Sequence, residues 1–408
     1  MPALVAKVVR RLRRMAAWVR DVEVRWLAPD PVEVVIFYST NMEYLMPLCG
    51  GARTLVLDVE SRTKLQLSWG LLQNFMSLLL QGHGPQIAYF SALLRRLDPA
   101  IVITYIDNSE LFHEVARANH RRMRFLAIQN GARTEVVEMS AKAARRIFIP
   151  EFACFGDYER DLYSGRGAQV GRFIPIGSLR EAYFRRYWQQ AAPVAADPYD
   201  YDLCVVAEAS PGWNQRYPGS EDAIGHIAKY AVRLAHEKGL KLVIAGKRDV
   251  SPGQVRAHIH QRDTEVNWYR KYIGPDVPIT PRVRDEFTTY GLTVRSRVSF
   301  ALMSTVLREA SSRGSRVLHC NFSGDPRWDF CVDGIWSLKE DSYEAFAERV
   351  MALLALSDEA WHEKSAKMAR YVMNNDDRSP THIALEKIIA EAVAARAGGR
   401  VNAERNIS

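Results

Sequence analysis

The 408 residues are too many for one ordinary core and suit two domains of roughly 150 to 200 residues. With 48% hydrophobic and 25% charged residues, composition excludes both a disordered chain and a membrane bundle. The 55 Lys and Arg against 47 Asp and Glu leave a net charge of +8, much of it local.

The first element carries that excess. "LVAKVVRRLRRMAAWVRDVEVRWL" holds Lys7, Arg10, Arg11, Arg13, Arg14, Arg20 and Arg25 against Asp21 and Glu23. Leu4, Val8, Leu12, Met15 and Val19 fall on one stripe at helical spacing, so residues 1–30 are predicted to form a basic amphipathic helix. Such a helix lies on an anionic bilayer through residues 3–27, or packs on its own domain with the basic face solvated. The arginines interrupt any signal-peptide core, and no run reaches the length of a spanning helix.

Short β-branched runs then alternate with helical-period segments. Strands are expected at 32–39, 54–59, 100–106 and 124–130, with helices such as 67–81 and 109–120 between them. After "QQAAPVAADPYD" a second set begins: strands at 201–209, 241–247, 298–303 and 316–322, with helices near 220–238, 304–313 and 341–356. This is the pattern of α/β, doubly wound parallel sheets. The expected organisation is a Rossmann-like domain over 31–192, a second over 200–378, a helix over 379–396 that returns toward the first domain, and a frayed tail over 397–408. Ser379 and Pro380 mark the start of that helix. The five cysteines, at 49, 154, 204, 320 and 331, form no Cys-x-x-Cys pair, which argues for a reducing compartment and against structural zinc.

In open α/β sheets ligands collect beyond the carboxyl ends of the strands. In the second half those ends carry Glu208, Lys247 with Arg248, Ser304 with Thr305, and the loop "NFSGDPRWDF". Ser304 and Thr305 open a helix whose free amides suit a phosphate, and Glu309 on that helix suits ribose hydroxyls. The alternatives are an N-cap and a solvated helix residue. Lys247 and Arg248 supply fixed positive charge for a leaving phosphate, or a solvated turn. In the loop, Asn321 and Asp325 could hold a sugar and Trp328 stack on a ring, or the aromatic residues could anchor the loop to the core. In the first half Asp107 and Asn108 follow one strand, and Gln129, Asn130 and Arg133 the next, facing an acceptor. Asp107 is the candidate base or nucleophile, with Asn108 and Glu208 in the same catalytic set; the alternatives are a helix cap for Asp107, a structural hydrogen bond for Glu208 and a simple tight turn for Asn130-Gly131. G-x-G-x-x-G after a first strand, G-x-x-x-x-G-K-[ST], H-E-x-x-H and G-x-S-x-G are all absent, which removes dinucleotide oxidoreductase, phosphate-loop ATPase, zinc protease and serine hydrolase readings.

The ordered segments "TYIDNS", "AIQNGAR", "CFGDYERDLY", "PIGSLR", "VVAEAS", "IAGKRD", "STVLREASSRGSRVLHCNFSGDPRWDF", "DGIWSL" and "NNDDRSPTH" resemble the surface carbohydrate biosynthesis transferases, bacterial GT-B glycosyltransferases, over about residues 32 to 390. The chain is distantly similar to Kdo transferases and to the polyol-phosphate transferases of teichoic acid assembly. The resemblance implies two Rossmann-like domains, a nucleotide-sugar donor such as CMP-Kdo in the second, a glycan or lipid-linked glycan acceptor in the first, and neither metal nor cofactor. Where many such enzymes carry a His-Pro pair this chain has "GKRD", which leaves nucleotide and sugar open. The expected activity is sugar transfer to a surface polysaccharide at the inner face of the cytoplasmic membrane. A CDP-glycerol-type polyol-phosphate transferase and a non-catalytic glycan-binding protein are the alternatives. Nucleic acid is not an expected partner, because the basic residues cluster on one terminal helix with no stacking platform.

Overall fold

The computed structural model describes residues 23–26, 29–57, 59, 64–133, 141–191, 199–208, 212–249, 256–284 and 286–405. Of the predicted amphipathic helix, residues 1–22 lie outside the described residues. Its last part is not helical: β1 (Glu23–Trp26) is a strand, parallel to β4 (Lys64–Leu67). Val22, Val24 and Trp26 alternate with charged residues, the strand period, which overrides the helical stripe there.

Two six-stranded parallel sheets form the rest of the framework. The first lobe runs β3-β2-β5-β6-β7-β8, with β2 (Val34–Ile36), β3 (Thr54–Val56), β5 (Ile101–Thr104), β6 (Arg124–Ile128), β7 (Phe148–Cys154) and β8 (Gln169–Pro175). The second runs β11-β10-β9-β12-β13-β14, with β9 (Tyr201–Val206), β10 (Leu242–Asp249), β11 (Ile279–Arg282), β12 (Ser296–Ala301), β13 (Arg316–Cys320) and β14 (Ser337–Leu338). Strand order reverses between β2 and β5 in one sheet and between β9 and β12 in the other, so each lobe has its crevice there.

Strand alternation assigns the two faces of the first sheet to different cores. Val35, Val102, Phe125 and Ala127 pack under the helices Trp69–Leu80, Pro85–Leu97 and Glu110–Asn119. Val34, Ile36, Ile101, Ile103, Leu126 and Ile128 point the other way, where Leu385, Ile389 and Ala392 cover them. Those three belong to the helix Thr381–Arg405, which follows the second lobe in sequence and packs on the first. Helix therefore continues through residues expected to fray, to Arg405. The return crossing is tight: a Cβ on Gly156 would stand 2.3 Å from the carbonyl oxygen of Tyr371, while the amide of Asn374 donates to that of Phe155 at 2.6 Å. Because Leu385 is fully buried, Leu385→Ala should cost roughly 2–5 kcal/mol, read as a lower midpoint in urea unfolding.

Candidate interlobe site

At the crevice of the second lobe, Glu208 lies two residues beyond the end of β9. Its carboxyl accepts the amide hydrogens of Leu302 (2.7 Å) and Met303 (3.1 Å), which lie just ahead of the helix Thr305–Ser312. Its own amide donates to the Tyr269 hydroxyl at 3.1 Å, and its carbonyl accepts from Lys247 Nζ at 3.1 Å. Burial pushes the Glu208 carboxyl up to about 7, against the opposing pull of the Met303 amide, Lys247 and the Leu302 amide. Burial also lowers the ammonium of Lys247, with Glu208 holding it up. A carboxyl that titrates near neutrality beside a lysine, at a topological switch point, is suited to proton transfer.

Lys247 and Arg248 stand on β10, which continues through Asp249, and not on a loop as expected. The sheet register shifts between Ala245 and Asp249, and the amides of Lys247 and Arg248 donate to the buried Glu265 at 3.3 and 3.1 Å. The segment keeps strand geometry because β11 pairs with it along that edge.

The start of the following helix is not the open anion site its sequence implies. Ser304 Oγ accepts the Val306 amide at 3.3 Å, the N-cap alternative. Thr305 Oγ1 accepts the amide of Ala132 from the first lobe at 2.8 Å. Glu309 is buried between the lobes, accepting from Ser178 Oγ (2.5 Å) and Tyr290 Oη (2.8 Å), so it does not face a ribose. The loop of residues 321–330 is likewise self-satisfied. Asn321 Nδ2 donates to the Asp325 carbonyl (2.9 Å) and to Asp329 (2.6 Å), and Asp325 caps the Arg327 amide and pairs with its guanidinium. Trp328, 2% exposed, meets Tyr217 edge-on at 5.6 Å. It anchors the loop, and its ring has no open face for a sugar.

In the first lobe Asp107 is buried in a bidentate pair with Arg133, whose Nε donates to Oδ2 at 2.9 Å, and it also accepts the Asn130 amide at 3.2 Å. Arg133 further donates to Asn130 Oδ1 at 2.8 Å. Gln129 Nε2 donates to Gly131 O (3.0 Å) and Glu159 (3.1 Å), and its Oε1 accepts the Phe155 amide. Asp107, Gln129, Asn130 and Arg133 thus hold their own loop against the second lobe. The Asp107 carboxylate is engaged by Arg133 and the Asn130 amide, partners that the strand-end reading of the sequence does not reveal. Asn108 alone of this set is exposed.

What the structure does place together is a set of arginines that sequence spacing did not reveal. A small pocket, open to solvent, is lined by Tyr44 and Arg180 of the first lobe and by Arg282, Arg284, Thr288 and Tyr290 of the second. The Arg180 guanidinium lies over the rings of Tyr105 (5.6 Å) and Tyr44 (5.9 Å) and donates to Asn41 at 3.3 Å. Its Nε is buried and bonds to none of the described residues. Arg284 also reaches Glu43 of the first lobe at 3.0 Å. Arg282 acts electrostatically on both Tyr44 and Lys247. The signal was "TPRVR" at the end of a short edge strand; its approach to "GSLR" of the other lobe has no trace in the sequence.

Buried ion pairs close the lobes on either side. Arg308 pairs with Glu159 (3.4 Å) and lies over Tyr158 (4.9 Å), while Arg313 pairs with Glu181, which also binds Arg185 (3.0 Å).

No protein-family model matches the chain, and no curated protein matches it. Among solved structures it is similar to a protein from Listeria monocytogenes assigned as UDP-N-acetylglucosamine 2-epimerase, with TM-score 0.50 and 12% identity over 90% of this chain and 96% of that one. An α,α-trehalose 6-phosphate synthase from Burkholderia multivorans follows at TM-score 0.48 and 9% identity, over 91% and 98% of the two chains. A wall teichoic acid polymerase also gives 0.48 and 9%, over 90% and 89%. At such identities the likeness concerns architecture. The chain has the GT-B arrangement of two Rossmann-like domains facing one another across a cleft.

Proposed function

We propose that the protein is a glycosyltransferase that moves a sugar from a nucleotide-activated donor to an acceptor hydroxyl, using the interlobe cleft. The carrying observation is the convergence of Arg180 with Arg282 and Arg284 from opposite lobes on one pocket, with Arg282 also acting electrostatically on Lys247, whose ammonium donates to the Glu208 carbonyl. In this reading the donor phosphate sits among the guanidinium groups. The acceptor oxygen bonds to the anomeric carbon while the bond from that carbon to the phosphate oxygen breaks, and the electron pair left on the phosphate is stabilised electrostatically. The acceptor proton passes to Glu208. The basic segment of residues 4–27 supports a membrane-linked glycan acceptor.

The same cluster of cations would serve a donor whose transferred unit is itself phosphate-linked, and that makes polyol-phosphate transfer the second reading. Thermal-shift titration separates them: CMP-Kdo and other nucleotide sugars should raise the melting temperature for sugar transfer, CDP-glycerol for the alternative. Arg282→Met is expected to weaken the effective donor by roughly 10- to 100-fold, the worth of one charge-assisted contact. If no nucleotide shifts the transition, or Arg282→Met binds as tightly as the parent, the donor site is elsewhere.

A further inference from the structure

One surface of the first lobe is unlike the rest. The thirty residues from 65 to 94 contain no Asp, Glu, Lys or Arg. They include the helix Trp69–Leu80, whose Leu71 and Leu78 enter the core. Its opposite face carries Trp69, Gln73, Met76 and Leu80 at helical spacing; Trp69 is 70%, Met76 48% and Leu80 86% exposed. Trp26, 56% exposed at the end of β1, meets Trp69 edge-on at 5.5 Å and extends the patch. Four of the eight large apolar side chains exposed among the described residues therefore stand on this one surface. An uncharged exposed helix of this kind has a burial partner.

We propose that this face enters the interfacial layer of an anionic lipid bilayer, with Trp26 and Trp69 at headgroup level and Met76 and Leu80 toward the acyl chains. The choice of lipid follows from charge. The segment of residues 4–27, which leads directly into Trp26, carries seven cations and two anions, complementary to an acidic membrane surface. A tryptophan pair bordering an uncharged apolar stripe matches the polarity gradient of a lipid interface, where indole rings keep an apolar body and a wet edge. No helix among the described residues is long and apolar enough to cross a membrane, so the contact is peripheral. This deepens the membrane part of the proposed function and is independent of its sugar chemistry.

The test is sedimentation of the full chain with phosphatidylglycerol-containing vesicles and with phosphatidylcholine vesicles, at about 0.1 M salt where surface charge still acts. The parent should bind the former and bind the latter far less. The triple variant Trp69→Gln, Met76→Gln, Leu80→Gln should partition about tenfold less or weaker still, with unchanged donor-induced thermal shift and unchanged turnover on a soluble acceptor. Should the triple variant fold poorly, Leu80→Gln alone, at the most exposed position, should still reduce partition measurably. Unaltered vesicle binding by the variants overturns the proposal, as does absence of binding by the parent. It is also overturned if the substitutions convert a dimer to a monomer, which would assign the face to a second copy, or if they only release the arm of residues 1–22 to proteolysis, which would assign it to this chain's own segment.

Discussion

Arg308→Met is expected to destabilise the folded chain by roughly 3–5 kcal/mol, the usual consequence of stranding one partner of a buried ion pair. Arg308 leaves the second lobe and meets Glu159 of the first, and both are almost wholly buried. Methionine keeps much of the packing against Tyr158 and Phe330 but removes the charge. Among the described residues Glu159 then retains Gln129, the Gly156 amide and its own amide. Burial already raises its proton affinity and Arg308 is the largest opposing influence, so its removal raises that affinity further. The sign follows by linkage. A carboxyl whose folded-state affinity lies above its unfolded value favours folding most at low pH, and that contribution is lost as pH rises through the folded value. The penalty of Arg308→Met should therefore be larger at pH 8 than at pH 5, and Glu159→Gln in the same chain should restore most of the loss. Urea unfolding at both pH values reads this. A loss below about 1 kcal/mol, the scale of an exposed pair, with no pH dependence would mean that the lobes do not close on this contact in solution.

Glu208→Gln is expected to reduce turnover by about 10²- to 10⁴-fold, the range for losing a general base. Glutamine preserves one acceptor oxygen for the Leu302 and Met303 amides, so the crevice should keep its shape. The pH–rate profile of the parent should show a limb near 7 that the variant lacks. The same shift makes a separate thermodynamic statement. The carboxyl rises from 4.5 in the unfolded chain to about 7 in the folded one, so its stabilising contribution is complete below 4.5 and disappears as pH climbs through 7. Across that window the melting temperature of the parent should fall relative to that of the Gln variant. Full turnover in Glu208→Gln would remove proton transfer from this residue, whatever the melting curves do.

The sheets were legible where strands are buried on both faces, because a continuous β-branched run has few other uses. "VEVVIF", "AIVITYI" and "LCVVA" each contain the strand expected of them. The missed strands lie at edges or carry breakers. β8 has no buried residue, β11 contains Pro281, β14 has two residues, and β7 holds Pro150 and Glu151. For the site, strand-end logic singles out Glu208 and Lys247, which belong to one crevice in one sheet and are joined by a hydrogen bond. The partners of Asp107, Glu309 and Asn321 were not legible, because a sequence displays a polar group without its partner. Arg133 is 26 residues from Asp107, and Ser178 is 131 from Glu309. Arg180, Arg282 and Arg284 gain meaning only when two lobes meet, and no periodicity within either lobe encodes that approach.

The helix Thr381–Arg405 gives the order of synthesis a physical consequence. The first lobe cannot complete its inner layer until Leu385, Ile389 and Ala392 have left the ribosome, although its last strand ends at Pro175. At roughly 5–20 residues per second the delay is on the order of ten to forty seconds, during which Val34, Ile36, Ile101 and Ile103 lack their cover. Nascent chains stalled before residue 381 should therefore be held by chaperones that grip apolar strands, and full-length chains should be released from them.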